Sequence, residues 1–273
     1  MSEDLQNRPV AGRGCLQMEA ADCLNYAALL NRIPAIHGIH VLWQGEKPLR
    51  DARLAVTCEP AFAQAWERII PVLEPGSSLR LDDLEPVLSP GFFSVLEERM
   101  AGVWSIRLLD GDQEVGRQDV PVDLLAFDEW SGLRGLPEIL AAFVLPNHPG
   151  LRPFAGQVSD RLQSVTGGSA LDGYQSKDRQ RVWHMCAAIW ECCHAQGLRY
   201  CNPPASFETQ GQKVRTPEVV LGDRLGTCLD LSLITAALLE MIGLRPLLIL
   251  LEGHCFVGCW LIEDRFPCAA LDD

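Results

Sequence analysis

Between residues 24 and 125, apolar positions recur every second residue in short runs broken by Pro, Gly and Asp. Residues 36–43 (Ile-His-Gly-Ile-His-Val-Leu-Trp) predict a strand. Residues 52–58 place Ala52, Leu54, Val56 and Cys58 on one face, and residues 79–84 alternate in the same way. Residues 102–109 and 116–122 flank Asp110-Gly111-Asp112, an Asp-Gly hairpin signal. One helical insert is expected at residues 90–99. Residues 1–23 are polar, hold no sustained period, and predict a poorly ordered lead-in.

Beyond residue 125 the period changes. Residues 126–150 form a connector with a short helix at 136–144, stopped by Pro-Asn-His-Pro-Gly because proline lacks an amide donor and restricts its predecessor. Residues 151–273 form a second domain. Helices are expected at 153–166 and 179–196, the latter with Val182, Cys186, Ile189 and Cys193 at helical spacing. Residues 203–215 read as an irregular polar loop. Thr216-Pro217-Glu218 is a helix start. A uniformly apolar helix is expected at 228–242, closed by Gly243. Strands follow at 247–251 and 254–262, with a third at 266–271. The order predicts an α+β chain: an immunoglobulin-like β-sandwich, a connector, then an α+β domain.

Composition narrows the function classes. A formal net charge of -13 argues against a surface for nucleic acid, which needs clustered Lys and Arg. No apolar run reaches the roughly 18–20 residues of a membrane span, and the N-terminus has no basic start or apolar centre of an export signal. The eleven cysteines are therefore expected as reduced thiols in the cytoplasm. His37 and His40 on a strand point to opposite faces and do not share a metal. On one helix His184 and Cys186 lie about 200° apart, so the run to Cys192, Cys193 and His194 does not converge on zinc.

The remaining chemistry lies between residues 225 and 260. Cys228 follows Gly226-Thr227 at the start of the apolar helix, where unpaired amides and the helix dipole favour a thiolate. His254 opens a strand whose alternation sets His254, Phe256, Gly258 and Trp260 against Cys255, Val257, Cys259 and Leu261. A histidine base needs an acceptor on its far nitrogen. If the strand turns at Glu263–Arg265 and returns through residues 266–273, position 254 meets Asp273 or, with a shifted turn, Asp272.

Gly-Thr-Cys-Leu-Asp-Leu at 226–231, followed by Gly-His-Cys-Phe-Val-Gly-Cys-Trp at 253–260, resembles the transglutaminase-like (papain-like) cysteine peptidase superfamily. Five further segments extend the likeness: Asp-Glu-Trp-Ser-Gly at 128–132, Pro-Asn-His-Pro-Gly at 146–150, Leu-Asp-Gly-Tyr-Gln-Ser at 171–176, Tyr-Cys-Asn-Pro-Pro-Ala-Ser-Phe-Glu at 200–208 and Gly-Gln-Lys-Val-Arg-Thr-Pro at 211–217. They are similar to the N-terminal part of large bacterial proteins that carry a superfamily 1 helicase, often a nuclease-like domain, and are associated with defence against foreign DNA. The resemblance implies Cys228 as nucleophile, His254 as base and Asp272 or Asp273 as orienter. It implies a protein or peptide substrate, a helicase or nuclease partner, and no metal or organic cofactor. An upstream Gln or Trp joins the oxyanion site in related thiol enzymes; Gln212 is the candidate, with Gln210 the alternative. The other readings are a non-catalytic binding module on the same scaffold and acyl transfer to amines.

Overall fold

A computed structural model describes residues 13–84, 86–133 and 135–271 and mixes helix and strand. The chain divides into two compact units, Met1–Phe127 and Asp128–Asp273. Among the described residues no helix is long and apolar enough to cross a membrane.

The first unit contains strands β1 (Gly14–Ala20), β2 (Cys23–Leu24), β3 (Ile36–Trp43), β4 (Leu49–Glu59), β5 (Trp66–Leu73), β6 (Ser78–Leu81), β7 (Met100–Asp110) and β8 (Gln113–Leu124). Helices α1 (Tyr26–Leu30) and α2 (Pro90–Phe93) are short inserts. One sheet has the order β1-β3-β6 and the other β2-β8-β7-β4-β5, antiparallel except for the β2–β8 pair. Period-two alternation explains the core. Leu16, Ile39 and Val41 of the first sheet share one apolar cluster with Leu54, Trp104, Ile106 and Leu108 of the second. Phe62 meets Trp104 edge-on at 4.7 Å between ring centroids.

Three expectations change here. Residues 14–20, read as lead-in, form β1: Leu16 and Met18 are buried while Gln17 and Glu19 face out, an alternation too short to stand out in the sequence. Residues 1–12 lie outside the described residues. The helix expected at 90–99 stops at Phe93, and the Leu96 carbonyl accepts from the Phe127 amide instead of continuing a helix. The alternation that separates His37 from His40 is interrupted by a bulge: Glu19 pairs with Gly38 and Ala20 with Ile36, so His37 is skipped in the ladder.

The second unit begins with β9 (Glu129–Trp130) and two 3-10 turns, Pro137–Phe143 and Pro149–Leu151. Then come α3 (Arg152–Thr166), α4 (Arg179–Ala195), β10 (Arg199–Tyr200), α5 (Phe207–Gln210), β11 (Gln212–Lys213), α6 (Pro217–Asp223), β12 (Leu225–Gly226), α7 (Cys228–Met241), β13 (Pro246–Leu251) and β14 (His254–Cys259). Phe154, Val158 and Leu162 of α3, Val182, Met185 and Ile189 of α4, and Ile234, Ala237 and Leu238 of α7 form one apolar core. Helix α7 is apolar on nearly every side because α4 packs on it and the β13–β14 hairpin covers another face. Ser232 Oγ donates to the Cys255 carbonyl at 3.2 Å and ties that hairpin to α7. The hairpin turns at Glu252-Gly253, with Gly253 at φ 68° and Leu251 paired with His254.

The third strand expected at 266–271 is not formed: these residues are exposed and irregular. Pro267 removes a ladder donor, and Arg245 holds the preceding segment through Glu263 Oε1 at 2.8 Å and the Asp264 carbonyl at 3.3 Å. The return register that would set a carboxylate opposite His254 is therefore not seen. Asp272 and Asp273 lie outside the described residues. The expected polar loop at 203–215 contains α5 and β11. Its order depends on two glycines that let two backbones touch. A Cβ on Gly211 (φ 81°) would lie 2.0 Å from the Trp130 carbonyl oxygen, and one on Gly132 (φ 80°) would lie 2.7 Å from the Gly211 nitrogen. Left-handed backbone costs an L-residue about 1–2 kcal/mol before any clash. Gly211→Ala is expected to destabilise the second unit by about 2 kcal/mol or more in chemical denaturation. Gly222→Ala, where a Cβ meets nothing within 4 Å, is expected to be neutral or stabilising.

Candidate functional site

The N-terminus of α7 is built around a buried carboxylate. Thr227 is the N-cap, and its Oγ1 accepts from the Asp230 amide at 3.3 Å. Asp230 Oδ2 accepts in return from the Thr227 amide at 2.9 Å, a capping box that satisfies two orphan donors of the first turn. Asp230 has no exposed surface. Its oxygens accept further bonds from Thr227 Oγ1 at 3.0 Å, the Arg215 amide at 2.9 Å and Arg215 Nη1 at 2.7 Å. Arg215, raised in pKa mainly by the hydrogen bond to Asp230, balances the carboxylate charge. The helix end that carries Cys228 is thus not left with an uncompensated negative charge. The Thr-x-x-Asp spacing of the capping box was legible at 227–230, but the partnership with Arg215 was not.

Gln212 reaches the same cap. Its Nε2 donates to Thr227 Oγ1 at 3.1 Å. The Thr227 hydroxyl has one proton, committed to Asp230, so the side chain facing it must be the amide nitrogen of Gln212. That orientation leaves Gln212 Oε1 buried and without a protein partner. Gln212 pairs directly with Trp130 across the β9–β11 ladder, and Lys213 with Glu129. The Trp130 side chain is fully buried and its indole nitrogen also lacks a partner. The Val214 amide donates to the Asp128 carbonyl and the Leu133 amide to the Glu208 carbonyl, each at 2.7 Å. Two segments noted separately in the sequence, 128–132 and 211–217, are therefore one assembly. Gln210 ends α5, before the Gly211 turn.

A third noted segment joins from the other side. β10 runs parallel to β12 with Tyr200 beside Gly226, held by Arg199 N–H to Arg224 O at 2.8 Å and Cys201 N–H to Gly226 O at 3.0 Å. Desolvation, with the Cys228 sulfur, raises the Tyr200 phenol pKa. A fourth segment works at the far end of the unit: Tyr174 donates to the Trp260 carbonyl at 2.8 Å and accepts from the Arg245 amide at 3.0 Å. Burial pushes the Tyr174 phenol up to about 12. Tyr200, Trp130, Arg215 and Asp230 were not singled out as site residues from the sequence; only their places in quoted motifs marked them.

The sequence candidates are placed unequally. Cys228 is the first residue of α7 and 4% exposed. Gln212 is brought to its cap. His254 opens β14 on the exposed side, its ring stacked on Phe256 at 6.4 Å between centroids. Among the described residues no hydrogen bond joins His254 to Cys228. The strand residue turned toward α7 is Cys255, whose thiol is pushed up to about 11, chiefly by burial. Among the described residues no three His, Cys, Asp or Glu side chains are grouped to hold a metal ion.

Chemically, this helix end offers a thiol, backbone amides of the first turn and a carboxamide, all fixed by the Asp230 network. The Arg215 side chain is 38% exposed, so losing Asp230 strands no buried charge but removes the capping box and the bonds from Arg215, about 1–3 kcal/mol. Asp230→Ala is expected to destabilise the second unit in that range and Asp230→Asn by less, since the amide oxygen retains the cap bond; denaturation midpoints check both.

Compared with models of known protein families and with curated proteins, the sequence matches none.

Proposed function

We propose that the second unit is a thiol hydrolase of peptide or isopeptide bonds, a transglutaminase-like domain behind an immunoglobulin-like β-sandwich. Cys228 Sγ attacks the acyl carbonyl while His254 takes the thiol proton. The oxyanion is met by the Cys228 backbone amide and the second N–H of Gln212 Nε2. The C–N bond then breaks as the imidazolium gives its proton to the amine. Water, deprotonated by His254, cleaves the thioester and frees the acid. Asp272 or Asp273 orients the imidazole. The chemistry calls for no cofactor.

The observation that carries this reading is the position of Gln212. A carboxamide is held against the N-cap of the cysteine's own helix, at a buried site where its oxygen has no protein partner. The second N–H on its nitrogen is the kind of donor that a developing oxyanion requires. His254 is exposed and opens a strand that packs on α7. The sequence likeness supports a setting in bacterial cytoplasmic defence, with a helicase or nuclease component as fused or separate partner.

A second reading, a protein-binding module without turnover, is favoured by one observation: the Cys228 thiol is buried and, among the described residues, no hydrogen bond joins it to His254. Acyl transfer to an amine would use the same first half-reaction, with an amine in place of water.

Cleavage of a peptide library by the full chain separates these readings. Cys228→Ala is expected to lower kcat/KM at least about a thousandfold and His254→Ala at least about a hundredfold. Cleavage unchanged in Cys228→Ala would sink the hydrolase. Incorporation of a labelled amine in preference to hydrolysis would make the enzyme a transferase. Partner binding unaffected by Cys228→Ala, with no cleavage by any form, would establish the module.

A further inference from the structure

A cleft of about 490 Å3 in the first unit is lined by the α1–β3 turn and by the segment that leads into α2. Pockets for small ligands run from about 300 to 1,000 Å3, so the space suits one. Leu29 and Ile33 from the turn and Leu84 and Leu88 from the segment supply aliphatic walls. Pro34 and Pro86, one on each side, fix the backbone there. Among the described residues that line the cleft, Arg32 is the charged one. Its side chain is exposed and makes no hydrogen bond or ion pair among the described residues.

The backbone of the turn explains why that guanidinium matters. Arg32 follows the C-cap Asn31 and is left-handed at φ 56°, a position that glycine takes at least cost. No polar contact of the Arg32 side chain among the described residues offsets that cost. The amide donors of the turn are already used: Leu29 donates to the Asn25 carbonyl, Arg32 to Leu29 and Ile33 to Ala28. Pro34 and Pro86 have no amide to give. From the turn a ligand therefore meets one donor group, the Arg32 guanidinium, beside an aliphatic wall. A peptide brings a row of backbone amides and carbonyls that each need a partner. An acyl acid needs donors at one end only.

We propose that this cleft binds a small amphipathic carboxylate, an aliphatic acid whose head pairs with Arg32 and whose chain lies against Leu29, Ile33, Leu84 and Leu88. Guanidinium and carboxylate meet as a planar pair with two parallel bonds, so the head is recognised by shape as well as charge. The proposal concerns the first unit and does not rest on the thiol chemistry proposed for the second.

The test is an NMR titration of the full chain, read at the isoleucine and leucine methyls, with hexanoate, octanoate and octanamide. Octanoate is expected to shift the methyls of Leu29, Ile33, Leu84 and Leu88 and to saturate them at about millimolar concentration or below. Affinity is expected to rise about fourfold per methylene from hexanoate to octanoate. Octanamide, which keeps the chain and loses the charge, is expected to bind about tenfold more weakly or worse. Arg32→Gln is expected to weaken octanoate by a similar factor. Arg32→Gly is expected to lose octanoate binding while its denaturation midpoint is held or raised, since glycine relieves the left-handed backbone. Equal affinity for octanoate and octanamide, or octanoate affinity unchanged in Arg32→Gln, would overturn the site. So would methyl shifts spread over both units, which report an adventitious apolar contact only. A peptide ending in leucine that binds at these methyls more tightly than octanoate would overturn the acid in favour of a peptide C-terminus.

Discussion

Burying a carboxylate costs several kcal/mol unless its lone pairs are met and its charge is balanced. Asp230 meets that demand with four hydrogen bonds, two from Thr227 and two from Arg215. Each bond constrains something the site needs. Thr227 fixes where α7 begins, and therefore where Cys228 stands. The proton that Thr227 gives Asp230 decides which end of the Gln212 amide faces the cap. Arg215 ties the loop before α6 to the helix end. One carboxylate thus sets the position of the thiol and the orientation of the carboxamide.

The same network explains why scattered sequence segments converge. The β9–β11 and β10–β12 pairs are each two residues long, too short to hold by ladder bonds alone. They persist because their neighbours are fixed: Gly132 and Gly211 allow the first pair to close, and Gly226 receives the second at the entrance of α7. Trp130 and Gln212 are buried and rigidly paired, whereas Tyr200 is exposed on its two-residue strand.

What could be read from the sequence followed the range of the forces involved. Alternation gave β3, β4, β7 and β8, and helical spacing gave α3, α4 and α7, because burial of a face leaves a periodic trace. Gly243 marked the helix end through the same local rules. β1 escaped because Leu16 and Met18 are a brief signal inside a polar stretch. The return strand at 266–271 was over-read because apolar residues there outweighed the veto of Pro267. At the site, residue order points to Cys228 and His254 and the resemblance to Gln212; Cys228 and Gln212 meet at the start of α7, while His254 lies on the exposed side of β14. The Arg215–Asp230 pair is not legible, since an ion pair across many residues leaves no period and no spacing.

Cysteines near α7 show that equally buried thiols can have different surroundings. Cys193 and Cys255 are pushed up to about 12 and about 11 by burial among apolar groups, which favours the neutral thiol. Cys228 is as buried as Cys255 in area but differs in its surroundings: a capped helix start and the Thr227–Gln212 contact. Burial by apolar side chains leaves a thiol no polar partner. Burial at a capped helix start leaves it beside the backbone amides of the first turn, which favour its charged form. The distinction lies in what covers the sulfur rather than in how much of it is covered, and among these three thiols it singles out Cys228.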